Sequence, residues 1–247
     1  MIRDQLIDAT IRLHLDEPLQ AARTLLSPHG REAAKEQKQL DDLMSRTLRR
    51  TSNCIDVGAY RGRVLAGMLR LAPHGRHIAY EPLPHLHRLL ARRFPCVDVR
   101  NAALSDRPGR ASFTAVHDSP GLSGFHNRWA GEGRHRTESI DVRIETLDTD
   151  LPPGYAPDFI KVDVEGAERL VFEGGIRTIR THRPTILFEH GKGGADHYAT
   201  EPADIHRLLS GEAGLRIFAV DGRRPLGLAE FEEEYQRNEQ WNFVAQA

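Results

Sequence analysis

Three short segments of the 247-residue chain set acids, glycines and a histidine where side chains can bind a charged ligand or move a proton. The first is Asp56-Val57-Gly58-Ala59-Tyr60-Arg61-Gly62, an apolar run ending in a glycine turn. Gly58 lets the backbone turn sharply and brings a ligand close to main-chain N–H groups at a helix start. Glu81, 23 residues beyond Gly58, closes the next apolar run, His77-Ile78-Ala79-Tyr80. An acid at that strand end in a doubly wound sheet accepts hydrogen bonds from a ribose. The second segment is Lys161-Val162-Asp163-Val164-Glu165. Strand alternation would put Lys161, Asp163 and Glu165 on one face, and Ile160, Val162 and Val164 on the other. Charge on a central strand is costly unless paired or placed at its C-terminal end, where sheet ligands bind. Two readings stand together: Asp163 and Glu165 at the mouth of a site, or an ion pair with Lys161 plus a helix N-terminal carboxylate at Glu165. The third segment, Glu189-His190, opens a glycine-rich loop. His190 has the reference pKa of a general base, or is one of thirteen histidines on a surface loop.

A dinucleotide site expects G-x-G-x-x-G, whose second glycine lets a pyrophosphate approach. Here Ala59-Tyr60 stands at that approach, and the Asp56 carboxylate would repel phosphate. A carboxylate there suits an ammonium or a sulfonium, so the turn favours S-adenosylmethionine over NAD. Asp163, Glu165, Glu189 and His190 could form a carboxylate–imidazole metal site, but the compact histidine spacing of such sites is missing and no metal is expected.

Positioning these residues requires strands that alternate with helices. Runs at 54–57, 77–80, 97–104, 159–164, 185–188, 215–220 and 242–245 read as strands, with helical stretches between most of them. That pattern implies βαβ units and a mostly parallel sheet with helices on both faces. Period-2 alternation at 111–116 and 140–144 predicts an inserted antiparallel pair, and the loop between them, with His117, His126, Trp129 and His135, is read as a cap on the acceptor. Residues 1–50 read as polar helices carrying no catalytic cluster, an appendage to a domain at 51–247.

The turn at Asp56–Gly62 resembles the first motif of class I S-adenosylmethionine-dependent methyltransferases. Asp158-Phe159-Ile160-Lys161-Val162-Asp163-Val164-Glu165-Gly166-Ala167-Glu168 resembles the signature of the FkbM methyltransferase family. Asn101–Asp106, Thr146-Leu147-Asp148, Arg183–Glu189 and Asn242-Phe243 follow in the family's order, and the resemblance covers about residues 53–247. One departure is Tyr60, where the family usually has Asn. The resemblance implies a Rossmann-like class I fold around a seven-stranded sheet. It implies that Asp56, Gly58, Ala59, Tyr60 and Gly62 line the methionine end of the cofactor, and that Glu81, with Pro82 beside it, holds the ribose. Asn101 and Ala102 would begin the adenine loop, with Ser105-Asp106 a second candidate there or simply a turn. The implied reaction is an in-line methyl transfer, expected on oxygen, to a small molecule such as a sugar or polyketide-type natural product. Asp163, Glu165, Glu189 and His190 are the candidate bases, and Lys161 reads as structural. Residues 1–50 would act as a lid or as a homodimer contact. An adenosyl-binding module without turnover is the alternative.

Composition is consistent with this and narrows it. Hydrophobic residues make up 39% and charged residues 28%, with a net charge of −1, which argues against nucleic acid as the main partner. No run of about 18 apolar residues and no signal-peptide h-region occur, so a cytoplasmic protein without a membrane span is expected. Two cysteines, Cys54 and Cys96, both in apolar runs, make neither a disulfide framework nor a zinc cluster. All but four of the 34 basic residues are Arg, which we read as the codon bias of a GC-rich genome.

Overall fold

The structure is a computed structural model that describes residues 28–126, 135–221 and 224–247. The expectations for residues 1–27 and for Trp129 lie outside the described residues. The chain divides into two compact units, 1–43 and 44–247. A helix, α1, runs over Pro28–Thr47. No described helix is long and apolar enough to cross a membrane.

The innermost strands of the larger unit follow from short apolar runs, and Cys54–Val57, His77–Tyr80 and Phe159–Val162 are buried from end to end, as expected for strands covered on both faces. The unit begins with β1 (Cys54–Val57), β2 (His77–Tyr80) and the more exposed edge strand β3 (Asp98–Arg100), joined by α2 (Arg63–Leu71) and α3 (Pro84–Arg93). Helix α2 buries Leu65 and Met68, and α3 begins on Pro84, whose fixed φ suits a first turn. The chain then leaves the sheet through β4 (Ala103–Leu104), β5 (Gly109–Val116) and β6 (Thr137–Glu145). After α4 (Leu147–Asp150) it returns as β7 (Phe159–Val162), α5 (Glu168–Glu173), α6 (Ile176–His182) and β8 (Thr185–Glu189). It finishes with α7 (Pro202–His206), a π-helical turn at Arg207–Glu212, β9 (Arg216–Ala219), β10 (Pro225–Leu226), α8 (Leu228–Arg237) and β11 (Asn242–Gln246).

The central sheet has the order β10-β9-β11-β8-β7-β1-β2-β3. From β3 to β8 neighbouring strands are parallel, whereas β11 runs antiparallel to both β8 and β9. The core lies on its faces, around Ile55, Ile78, Ile160, Phe188 and Phe243. The sheet departs from the expected seven strands by one, the two-residue β10 on its edge. The single strand expected at 97–104 is two. The Asn101 amide donates to the carbonyls of Glu81 (2.9 Å) and Pro82 (2.9 Å) and turns the chain there. β4 then joins the inserted β5–β6 pair as a three-stranded sheet. Cys54 is buried in β1, but Cys96 is exposed.

Strand order reverses at β1. The chain builds outward on one side through β2 and β3 and on the other through β7 and β8. Ligands of open α/β sheets bind in the crevice beyond the carboxyl ends of the strands at such a switch point. Those ends here are Gly58, Glu81 and Asp163.

Candidate active site

A cleft opens at this switch point, with about 730 Å³ of empty space including its mouth. Gly58, Tyr60, Glu81, Pro82, Ala102, Asp163 and Glu165 all line it. Its remaining walls are mostly apolar, from Leu83, Leu104 and Phe113 to Pro120, Gly121 and Phe125.

Register explains the charges beneath the cleft. Asp56 in β1 stands opposite Lys161 in β7. The Lys161 ammonium lies 3.5 Å from Asp56 and 3.3 Å from Asp163, and donates to the carbonyls of Gly58 (2.7 Å) and Val57 (3.3 Å). Burial alone would lower the Lys161 pKa, but the Asp163 and Asp56 carboxylates outweigh it and hold the group charged. Burial lifts the Asp56 carboxyl above its usual range while Lys161 pulls it back. Asp56 is fully buried and does not reach the cleft wall. It acts beneath the turn instead, through Lys161.

The two turn glycines serve packing as well as conformation. Gly58 has φ +75°, and a β-carbon there would overlap the Asp163 carbonyl oxygen. Gly62 has φ +77°, and a β-carbon would strike the Phe94 and Leu90 side chains. Gly62 and its buried neighbour Ala59 therefore shape the turn from behind, off the cleft wall. Tyr60 lies between them in the left-handed region at φ +49°, a conformation that Asn tolerates better than Tyr. Its half-exposed ring reaches over the cleft toward Gly121.

Glu81 is 4% exposed, and each carboxylate oxygen accepts a backbone N–H, from Tyr60 (2.8 Å) and from Leu83 (2.9 Å). Burial pushes its pKa up to about 7, against those two hydrogen bonds and Lys161, which lower it. Asn101 fixes the backbone of Glu81 and Pro82 but does not line the cleft. Ser105 and Asp106 are not brought to it either. The Ser105 hydroxyl donates to Asp106 (3.1 Å), and the Ser105 carbonyl packs against Gly174, which makes the pair a turn between β4 and β5.

At the ends of β7 and β8 the alternation expected through Glu165 stops at Val162. Glu165 has φ +60° and Gly166 φ +105°, so the backbone bends and turns Val164 toward the cleft together with Asp163 and Glu165. The bend is held by Glu168, to which sequence reasoning gave no role although it closes the signature stretch. Its Oε1 accepts the N–H groups of Val164 (2.9 Å) and Gly166 (3.2 Å), and burial raises its pKa to about 7. Gly166 is also pressed against Gly194, whose backbone a β-carbon would overlap. Gly166→Ala is expected to destabilise the fold by more than about 1 kcal/mol, since it adds both strain and a clash. An unchanged urea midpoint would contradict this account of the bend.

Glu189, at the end of β8, hydrogen-bonds Asp163. Burial first, then the charges of Asp163, Glu168 and Glu165, hold its carboxyl well above the usual range. That upward shift suits Glu189 to donate to Asp163, which faces the cleft. The structure does not bring His190 to this group. Its ring is 1% exposed, stacked on Tyr235 at 4.9 Å and close to Phe231 at 5.6 Å. Burial drops its pKa to about 4, with Asp196 and Asp204 opposing. A neutral ring packed under α8 cannot reach a proton in the cleft.

The sequence matches the family model described as the methyltransferase FkbM domain over residues 56–217. A search of curated proteins finds no match. Among solved structures the chain is similar to the FkbM methyltransferase from Methylobacillus flagellatus KT, at 18% identity and a TM-score of 0.51, over 80% of this chain and 44% of that one. The chain thus spans less than half the length of that relative. It is also similar to a precorrin-6y C5,15-methyltransferase from Geobacter metallireducens GS-15, at 15% identity, a TM-score of 0.45, and 84% and 86% coverage. A TehB-like SAM-dependent methyltransferase from Corynebacterium glutamicum ATCC 13032 Kitasato follows at 12% identity, a TM-score of 0.44, and 88% and 96% coverage. At 18% identity the likeness to the Methylobacillus structure is one of fold.

Proposed function

From the premise that the chain belongs to the FkbM methyltransferase family, we propose that it methylates a hydroxyl oxygen of a small molecule, with Asp163 as the base. The observation that carries this reading is one cleft that joins an enclosed carboxylate, Glu81, to two open ones, Asp163 and Glu165. The cofactor of the family is S-adenosylmethionine, which when bound supplies a methyl group already activated on a cationic sulfur. The residues present fit it. Glu81 at the end of β2 offers acceptors to ribose hydroxyls, and the apolar walls at Leu83, Ala102 and Leu104 suit a flat base. Asp163 and Glu165 offer negative charge to the ammonium and sulfonium.

An alcohol is protonated at neutral pH, so a base must take its proton as bonding begins. Asp163 is the acid at the cleft wall that has a proton-holding neighbour, Glu189, behind it. Lys161 and Glu168 position the two turns, and the cleft walls exclude water and orient the acceptor. In this reading residues 51–247 form the transferase domain, and residues 1–50 act as a lid or as a contact in a homodimer.

The test is thermal stabilisation of the protein by S-adenosylhomocysteine and by NAD. Stabilisation by the first alone supports the reading, and the reverse result overturns it. Glu81→Ala should weaken S-adenosylhomocysteine binding by about 1–3 kcal/mol. Unchanged affinity would remove Glu81 from the ribose. The pH dependence has two opposite signs. Folded Glu81 holds its proton up to about 7 against an ordinary value of 4.5, so between those values the folded state binds more protons than the unfolded chain. Stability of the ligand-free protein therefore falls as pH rises through that window. Affinity for the ribose rises over the same climb, because the ionised carboxylate is the stronger acceptor.

A further inference from the structure

We propose that the Tyr60 ring is a strap across the cofactor end of the cleft, a positioning residue that holds S-adenosylmethionine or its product in place and sets how fast they exchange. The inference rests on the methyltransferase reading of the cleft and concerns the retention of the cofactor, not the transfer step. Backbone conformation supplies the first observation. Tyr60 lies at φ +49°, in the left-handed region that bulky residues avoid. Strain of this kind persists only where the surroundings impose it, and it gathers at ligand clamps. Here Gly58 and Gly62, both at positive φ, flank Tyr60, and its N–H donates to Glu81 Oε2 at 2.8 Å. Any residue except proline supplies that N–H, and Gly or Asn would do so with less strain. What tyrosine adds at this position is its ring.

The ring spans the cleft. It starts beside Glu81, and its hydroxyl end comes to the short turn at Pro120–Leu122, between β5 and β6. A β-carbon on Gly121 would lie 3.9 Å from the hydroxyl-bearing ring carbon, an ordinary van der Waals contact. Tyr60, Pro120 and Gly121 all belong to the cleft lining, so the ring joins two walls that lie sixty residues apart in the chain. The Arg61 guanidinium, 5.3 Å from the ring centroid, steadies the ring by a cation–π contact.

Exposure separates the two ends of the cleft. Glu81 is 4% exposed, whereas the Asp163 side chain is 41% exposed and is reached from solvent directly. A ribose held by Glu81 is placed next to the residue that bears the ring. Tyr60 itself is 36% exposed, among the few large apolar side chains open to water. A ligand on Glu81 would cover ring surface that the empty cleft leaves to solvent, and its departure would expose that surface again. A strained backbone and an open ring both weigh against the empty protein, and both are accounted for by a ligand beneath the ring.

The experiment follows release of tritiated S-adenosylhomocysteine from the full-length protein into an excess of the unlabelled compound, beside melts of the ligand-free protein. Tyr60→Asn removes the ring and suits the left-handed backbone, so the N–H on Glu81 stays in place. It is expected to release S-adenosylhomocysteine at least about tenfold faster than the parent, since affinity losses of this kind fall mostly on the dissociation rate. Its Tm without ligand should equal or exceed that of the parent, by up to about 4 °C, because strain is relieved. Weaker retention without lost stability is the signature of the strap, and a merely structural role for Tyr60 would lower both together. Tyr60→Phe keeps ring and strain, and should release the ligand within about threefold of the parent rate. Release from Tyr60→Asn within about twofold of the parent overturns the inference. A lowered Tm that accompanies faster release overturns it as well, as does equally fast release from Tyr60→Phe. Those results leave the methyltransferase reading intact. Failure of S-adenosylhomocysteine to bind the unsubstituted protein overturns both.

Discussion

Lys161→Met is expected to lower the stability of the protein by about 3–5 kcal/mol, the cost of leaving a buried carboxylate without its cation. Lys161 and Asp56 have side chains only 8% and 1% exposed, so water cannot replace the lost ammonium. The same substitution removes the donor that ties the Val57 and Gly58 carbonyls to β7, which loosens the first turn of the site. For a domain of this size the loss corresponds to a fall in Tm of roughly 10 °C. The deficit should be smaller at low pH. Burial already raises the Asp56 pKa, and without Lys161 the carboxyl can escape its unpaired charge by taking a proton. The double variant Lys161→Met with Asp56→Asn should recover part of the loss, and the double-mutant cycle measures the coupling. Circular dichroism melts at pH 5 and pH 8 check both statements. Equal stability of Lys161→Met and the parent protein would show that the ion pair carries no weight.

The prominence of Lys161 illustrates what a linear reading reaches. Its structural character was readable from its place in the middle of an apolar strand, where a charge must be paired. Its partner was readable only in part. Asp163 is two residues away, but Asp56 comes opposite through the register of β1 with β7, which local spacing does not encode. The alternating strands and helices were legible because buried parallel strands are short apolar runs. Glu81 was legible because a strand-terminal acid has a fixed place in such folds. The bend after Val162 was not. Alternation predicts a continued strand through Glu165, whereas Glu168 binds the Val164 and Gly166 N–H groups and the chain enters the left-handed region. His190 failed for a related reason. Its neighbours Phe231 and Tyr235 come from α8, some forty residues later, and only the folded chain shows that they bury the ring. The glycines were legible by position, but the packing that demands them was not, since Gly58 makes room for the Asp163 backbone and Gly62 for the Phe94 and Leu90 side chains.

The largest expected effect on turnover is at Asp163. Asp163→Asn should reduce kcat by about 10²–10⁴, the usual contribution of a positioned base, because an amide cannot take the acceptor proton. The loss should exceed any change in S-adenosylhomocysteine affinity, since the base acts on the acceptor. Glu189 separates proton chemistry from mere packing. As a protonated acid it donates to Asp163, and burial together with Asp163, Glu168 and Glu165 keeps that proton in place well above the usual carboxylate range. When rising pH removes the proton, a second negative charge stands beside Asp163 and the hydrogen bond that orients it is lost. Activity should therefore fall on the alkaline side as Glu189 ionises. Glu189→Gln keeps a neutral donor at the same place, so it should retain activity within about tenfold of the parent and lose that alkaline fall, whereas Glu189→Ala should lose both donor and activity. A role confined to packing predicts the same pH profile for the glutamine variant and the parent. Rates of methyl transfer measured against pH for the parent and the two Glu189 variants decide between these outcomes, and an unaltered alkaline limb in Glu189→Gln would remove Glu189 from the proton path.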